Sequence, residues 1–302
     1  MFVITYRKFF YIFSALVIAV SLAAISFWGL KPGIDFRGGS LLEVVYQKDA
    51  PTESAVHDAL ALLSLGEVSV RKTGESGFII RFRELTESEH EAVKTALSFG
   101  GTKPPTEGRF DSVGPVLGSE AARKSLLSIL LVIVCIVLFI TFAFRKVSEP
   151  VSSWKYGVIA IVALLHDVIV PAGAFAVLAH FTGAEADTLF VTALLVVLGF
   201  SVHDTIVVFD RVRENLKVSR ESHDRSKDFA MIVGESVSQT FVRSINTSLT
   251  TLLALLALYL LGPEATRIFS LVLIIGITAG TYSSIFLGSP LLVTVEQWQN
   301  KG

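Results

Sequence analysis

The run "SLLSILLVIVCIVLFITFAF", Ser125 to Phe144, contains no Asp, Glu, Lys, Arg or His. A helix needs about 20 mostly apolar residues to cross the hydrocarbon of a bilayer, so this run predicts a membrane span. The same test of length and polarity finds five more, at about Phe9–Gly29, Tyr156–Ala179, Leu189–Phe209, Ile245–Leu261 and Ile268–Val295. Arg7 and Lys8 precede the first of them in the manner of a secretory signal. Its apolar part exceeds the usual signal core of about 7–15 residues and shows no small-residue cleavage site, so it predicts an uncleaved helix.

Composition agrees. The chain is 52% hydrophobic and 18% charged, with a mean hydropathy of +0.62, where ordinary soluble domains run near 45–50% and about 25%. A net charge of -1 argues against nucleic acid as a partner. Cys135 is the single cysteine and the six histidines are scattered. Neither HExxH nor CxxC spacing is present, which argues against a metal. The lack of a nucleotide loop or nucleophile triad argues against an enzyme or a bound cofactor.

Basic residues set the expected orientation. Arg145, Lys146 and Lys155 lie between spans two and three, and Arg211, Arg213, Lys217, Arg220, Arg225, Lys227 and Arg243 between four and five. The connection between three and four instead carries Glu185 and Asp187. Both termini are therefore expected in the cytoplasm. The division expected is 1–29 for the N-terminus and first helix, 30–124 for an external domain, and 125–302 for helices two to six. Within the last, a basic cytoplasmic connection at 210–244 reads as a solvated turn followed by an interfacial helix, near membrane lipids.

Residues 30–124 read as strand "GSLLEVVY", helix "TESAVHDALALLSLG", strands "VSVRKT" and "GFIIRFRE", helix "TESEHEAVKTALSF" and strand "GRFDSVGPVL". The order β-α-β-β-α-β predicts an α+β ferredoxin-like domain between helices one and two of a polytopic α-helical membrane protein with six transmembrane helices. Thr52 and Thr86 are expected helix caps, with Glu53 and Glu87 at the positive helix ends. His57 and His90 are expected in surface or packing roles.

Ionisable groups inside spans are expensive and mark function by default. Two His-Asp pairs stand out, His166-Asp167 in the third span and His203-Asp204 in the fourth. Asp167 is roughly 18 Å along the helix from Lys155, near mid-bilayer, and Asp204 roughly 9 Å from Asp210. Adjacent helical residues point about 100° apart, so a histidine is not automatically bonded to the neighbouring Asp. The available counter-charge for Asp204 is Arg243, at the start of the fifth span. The pair reads either as proton-responsive or as a static ion pair; His166 and Asp167, with Asn246, are secondary polar candidates whose first reading is helix–helix contact. Histidine as a residue type is titratable near neutral pH, so its presence at 203 permits proton coupling. Gly276 and Gly280 in "GITAG" have the GxxxG spacing of close helix packing. Pro171 and Pro290 mark an expected kink and an expected break, and Pro263 a loop.

With these residues in view, the chain resembles the SecF family over essentially its whole length. "GIDFRGG" at Gly33–Gly39, "ALLHDV" at Ala163–Val168, "HDTIVVFDRVREN" at His203–Asn215, "RSINTSLTTLLALLALYLLG" and "GTYSSIFLGSPLL" match the family's signatures in order and spacing. The resemblance implies a six-helix subunit of the bacterial cytoplasmic (inner) membrane, in the RND-like superfamily, that pairs with SecD. It implies use of the proton-motive force, with no cofactor, in the later stages of preprotein movement through the SecYEG channel, with YajC as a further partner. Asp204 and Arg243 correspond to the family's acid and arginine implicated in proton coupling. Gly33, Asp35, Phe36, Gly38 and Gly39 match the signature turn, read as mechanical or structural. His203 departs from the Asn often found before the matching Asp. Competing expectations are an independent proton-driven exporter of small molecules or lipids, and a non-transporting assembly factor.

Overall fold

A computed structural model describes residues 2–47, 49–144, 151–221 and 228–299. The expectations resting on Arg145, Lys146, Arg225 and Lys227 lie outside the described residues. The chain divides into two compact units, Pro32–Leu126 and residues 1–31 with 127–302.

Among the described residues, six helices are long and apolar enough to cross a membrane. The first five are Arg7–Trp28, Pro115–Ala143, Ser153–Thr182, Thr188–Glu221 and Phe229–Leu261. The sixth runs Glu264–Ser283, widens into a π-helical turn at Ser284–Gly288, and continues as Ser289–Gln299. The third, fourth and sixth bury half or more of their apolar windows, whereas the second and fifth bury about a tenth of theirs or less.

Three sequence expectations are corrected. Residues 115–117 do not extend the last strand but open the second long helix at Pro115; proline suits a first helical position, where its missing N–H is unneeded. The connection 210–244 is helical to Glu221, where the solvated turn was expected to begin, and its residues 222–227 lie outside the described residues. Its described residues extend the fourth and fifth helices, to Glu221 and from Phe229. Asp228 caps the second of these by accepting the Met231 amide at 2.8 Å. Pro290 does not break the sixth span: the π turn lies where proline withholds its hydrogen bond and crowds the carbonyl four residues back, so the backbone accommodates it by widening. The third helix continues through Pro171, the position of the expected kink.

Lipid supplies little hydrophobic drive between helices, so close packing must come from small residues. A Cβ on Gly280 would sit 3.0 Å from the Ser201 Cβ, and one on Gly276 would collide with the Val197 side chain. The GxxxG pair of the sixth span thus seats the fourth span against it. Phe144 and Tyr156 stack at 5.2 Å, with Phe209 edge-on to Tyr156 at 5.4 Å.

The unit Pro32–Leu126 holds strands β1 (Gly39–Val45), β2 (Ser69–Thr73), β3 (Gly77–Phe82) and β4 (Thr106–Val113). They form one antiparallel sheet ordered β2-β3-β1-β4. Helices Glu53–Ala61 and Glu87–Leu97 follow β1 and β3. Alternate residues of β1 and β3, namely Leu42, Val44, Phe78, Ile80 and Phe82, pack with Val56, Leu60, Val93 and Leu97 of the helices. Thr52 and Thr86 are the helix caps. The acid that closes a capping box with Thr86 is Glu89 rather than Glu87. His57 is exposed, while His90 is buried and stacked on Phe110 at 3.8 Å.

In the signature turn, residues 34–37 form one helical turn that starts after Gly33 and ends at Gly38, whose amide donates to the Ile34 carbonyl at 2.8 Å. Gly38 and Gly39 have φ of 81° and 127°, which L side chains rarely adopt. A Cβ on Gly38 would also lie 2.7 Å from the Pro115 Cα. The two glycines are therefore required by backbone geometry and by close approach.

Candidate intramembrane carboxylate site

Asp204 lies on the fourth span, 5% exposed. Its Oδ1 accepts from the Ser244 hydroxyl of the fifth span at 2.6 Å, and its Oδ2 from the Ser284 hydroxyl of the sixth span, also at 2.6 Å. Ser201 is three residues earlier on the fourth span and so shares a face with Asp204. It donates not to Asp204 but to Asp167 Oδ2 on the third span.

Asp167 has no exposed surface. Besides Ser201, it accepts from the Ser283 hydroxyl at 2.8 Å, and His166 Nδ1 lies 2.8 Å from its Oδ1. An ionised carboxylate only accepts, so with Asp167 ionised the proton of that contact resides on Nδ1. The two neighbours thus do meet, through a side-chain bend that the 100° rule does not forbid. The His166 ring stacks on Tyr282 at 5.9 Å, whose hydroxyl is 3.2 Å from that of Ser14 on the first span.

The expected direct pair of Asp204 with Arg243 is not formed. Arg243 is exposed, and among the described residues no ion pair joins it to Asp204. The next residue along, Ser244, is the one that turns to the carboxylate, since successive positions on a helix differ by about 100°. His203 and Asn246 are exposed as well. The structure therefore gathers Asp204, Asp167 and His166 inside the bundle and leaves His203, Arg243 and Asn246 on its flanks.

Sequence reasoning missed Ser201 and Ser244; Ser283 and Ser284 read from the sequence as small hydroxyl-bearing positions of close helix packing and interhelical hydrogen bonds, with no carboxylate assigned to them. The readable signal was positional: Ser201 is three residues from Asp204, and Ser244 is four from Ser248, whose hydroxyl meets Thr281 at 2.5 Å.

Magnitudes define what such a site can do. A central acid costs about 2.5–3.5 kcal/mol on insertion scales. A hydrogen bond to a charged group contributes about 1.5–3 kcal/mol. Two hydroxyl donors therefore roughly offset the cost of holding an acid at this depth.

Comparison with known proteins agrees on one family. The family model "Protein export membrane protein SecD/SecF, C-terminal" matches residues 94–298, and "SecD/SecF GG Motif" matches residues 24–50, which include the signature turn. The chain is 42% identical to Protein translocase subunit SecF of Thermobaculum terrenum, over 99% of this chain and 94% of that one. It is 36% identical to the same subunit of Synechocystis, over 96% and 92%. The crystal structure of SecDF, a translocon-associated membrane protein from Thermus thermophilus, superposes with a TM-score of 0.82 at 30% identity. That match covers 98% of this chain and 38% of the SecDF chain. A SecDF structure in a super-membrane-facing form gives 0.67 at 29% identity, over 99% and 38%. With its six apolar helices, its signature turn and full-length likeness to these subunits, the chain is a multi-pass membrane protein that belongs to the SecF family of protein translocase subunits.

Proposed function

We propose that this subunit works with SecD to couple the proton-motive force to late stages of preprotein export through SecYEG, with Asp204 as a proton carrier. The observation that carries the proposal is a buried carboxylate held by hydroxyls from two other spans, Ser244 and Ser284, with no Lys or Arg paired to it among the described residues. On protonation the carboxyl becomes a weaker acceptor, and the hold of the fourth span on the fifth and sixth relaxes. Arg243 sits one residue before the Ser244 anchor, so rotation of the fifth span as that anchor loosens also carries the guanidinium. His203, on the flank, tunes this process rather than driving it.

The name of the solved SecDF chain, of which this chain spans 38%, supports SecD as the partner. The excess of Lys and Arg in 210–244 supports cytoplasmic termini in a bacterial inner membrane and an extracytoplasmic 30–124. The sheet order supports a ferredoxin-like domain there. SecYEG, YajC and the unfolded preprotein are the remaining partners, and the proton gradient replaces any cofactor.

The test is export by vesicles that contain this subunit, SecD and SecYEG, with and without an imposed proton gradient. Asp204→Asn and Arg243→Leu are expected to assemble but to lose stimulation by the gradient, and His203→Asn to have a smaller effect. Normal stimulation in the Asp204→Asn vesicles would overturn the proposal. Loss of export equally with and without the gradient would assign the carboxylate to assembly instead.

A further inference from the structure

The Asp167 site is as enclosed as a carboxyl can be, yet its partners are two serine hydroxyls and one imidazole. Among the described residues no Lys or Arg pairs with it. A lone ionised carboxylate in a dry helix bundle costs several kcal/mol. The neighbour able to share a proton with it is the His166 imidazole, whose Nδ1 lies 2.8 Å from its Oδ1.

The second observation lies on the sixth span. Ser283 and Ser284 are consecutive and so point about 100° apart, the first toward Asp167 at 2.8 Å and the second toward Asp204 at 2.6 Å. Each also has a second acceptor three residues back in its own helix, the Gly280 carbonyl at 3.1 Å for Ser283 and the Thr281 carbonyl at 3.0 Å for Ser284. A hydroxyl carries one proton. Each serine therefore donates either to its carboxylate or to its own backbone, and an ionised carboxylate is the stronger acceptor. Ser284 is also the first residue of the π turn, and its carbonyl accepts from the Ser289 hydroxyl at 2.7 Å. The choice of acceptor is thus made where the backbone already leaves the α register, a feature common at functional sites.

We propose that Asp167 is a second proton-binding carboxyl of this subunit, and that Ser283 and Ser284 are positioning residues that link its protonation to that of Asp204. The linkage rests on the reading of Asp204 as a proton carrier. The step is a proton transfer alone: an O–H bond forms on Asp167 as an N–H bond of the His166 imidazolium, or an O–H bond of hydronium, breaks, and the reverse occurs on release. Protonation of one carboxyl returns its serine to the helix backbone and shifts the adjacent serine, which changes the donor available to the other carboxyl.

Among the described residues, few titratable groups surround the two carboxyls. His166 bonds to Asp167 from its own span, Asp204 faces from the fourth, and Tyr282 stacks on His166 from the sixth. The fifth span contributes Ser244, beside the exposed Arg243, and the first contributes Ser14. Tyr11 of the first span is engaged elsewhere, with Thr294 at 2.8 Å.

The test is infrared difference spectroscopy of the full-length chain assembled with SecD in vesicles, following the carbonyl band of protonated carboxyls against pH. Asp167→Asn and Asp204→Asn should each remove one titrating band. In Asp204→Asn the Asp167 midpoint should move by about one pH unit. Ser283→Ala with Ser284→Ala should change both midpoints and reduce that shift; Ser283→Thr with Ser284→Thr, which keeps both hydroxyls, should restore it. Because Asp204→Asn leaves the Asp167 band to be read, the test does not depend on Asp167→Asn folding. An Asp167 band that never titrates, or that has the same midpoint with and without Asp204, overturns the inference. A titrating Asp204 beside a silent Asp167 defeats this inference alone. A silent Asp204 beside a titrating Asp167 defeats the proton-carrier reading of Asp204 and the linkage with it.

Discussion

The Ser284 hydroxyl donates to Asp204 Oδ2 at 2.6 Å, joining the first residue of the π turn in the sixth span to the buried carboxylate of the fourth. Removing that hydroxyl leaves Asp204 with Ser244 as its remaining donor. Ser284→Ala is expected to lower stability by about 1.5–3 kcal/mol, the worth of a hydrogen bond to a charged group. Thermal unfolding in detergent measures it, and Ser284→Thr should recover most of the loss. An unchanged midpoint for the alanine variant would count against an ionised Asp204 held by this serine.

Gly38 combines a φ of 81° with a neighbour, the Pro115 Cα, only 2.7 Å from where a Cβ would stand. Gly38→Ala therefore meets both backbone strain and a clash, for a cost of about 1–3 kcal/mol. Faster amide hydrogen exchange in β1, which begins at Gly39, is the expected signature. Gly74, with a φ of 59° and open space around it, is the control. Alanine there should cost less, because strain acts without a clash.

The Arg83 guanidinium bonds the Glu89 carboxylate, and with the Thr86 backbone and hydroxyl it holds the Glu89 carboxyl down at about 2. A folded value below the unfolded one means the contribution is fully present above about pH 4.3 and is lost as the pH falls toward about 2. In the full-length chain, Glu89→Gln should speed exchange of the amides of helix Glu87–Leu97 at neutral pH, and the difference should vanish near pH 2. A difference that persists in acid would show that lost packing, not charge, is responsible. Thr86→Ala removes the cap together with one of the bonds to Glu89 and is expected to cost about 1 kcal/mol at neutral pH.

Asn215 donates to the Ser236 hydroxyl at 2.8 Å and to Gln239 at 3.0 Å, and Arg211 Nε meets the same Gln239 oxygen at 2.6 Å. These bonds join the fourth and fifth helices beyond their most apolar parts. Asn215→Ala should cost about 1 kcal/mol and raise hydrogen exchange around Ser236 as well as around residue 215. Exchange raised only near 215 would mean that the two extensions do not pack as a hairpin.

Much of the fold was legible because lipid is a demanding solvent. A span must be long, apolar and internally hydrogen-bonded, and those demands are written locally in runs such as Ser125–Phe144. The helix ends were less legible. Beyond the hydrocarbon, polar residues such as Arg211 and Asn215 serve a helix as well as a loop, so the hydropathy signal stops before the helix does. The capping box was equally readable in "TESE", residues 86–89, once Glu89 rather than the adjacent Glu87 is placed at the third helical position.

The candidate site was half legible. The cost of a carboxylate in a membrane singled out Asp204 and Asp167 from sequence alone, since that cost does not depend on which neighbours answer it. Which neighbours do answer was decided by tertiary structure. One residue along a helix is about 100° of rotation, and that separates the exposed Arg243 from the Ser244 that holds Asp204. The chain by itself determined six spans, a small β-α-β-β-α-β segment and two acids at membrane depth. Only the packing of the third, fourth, fifth and sixth spans brought Ser201, Ser244, Ser283 and Ser284 to those acids, because a hydroxyl reads the same on a lipid-facing flank as in a buried seam until helix rotation chooses its side.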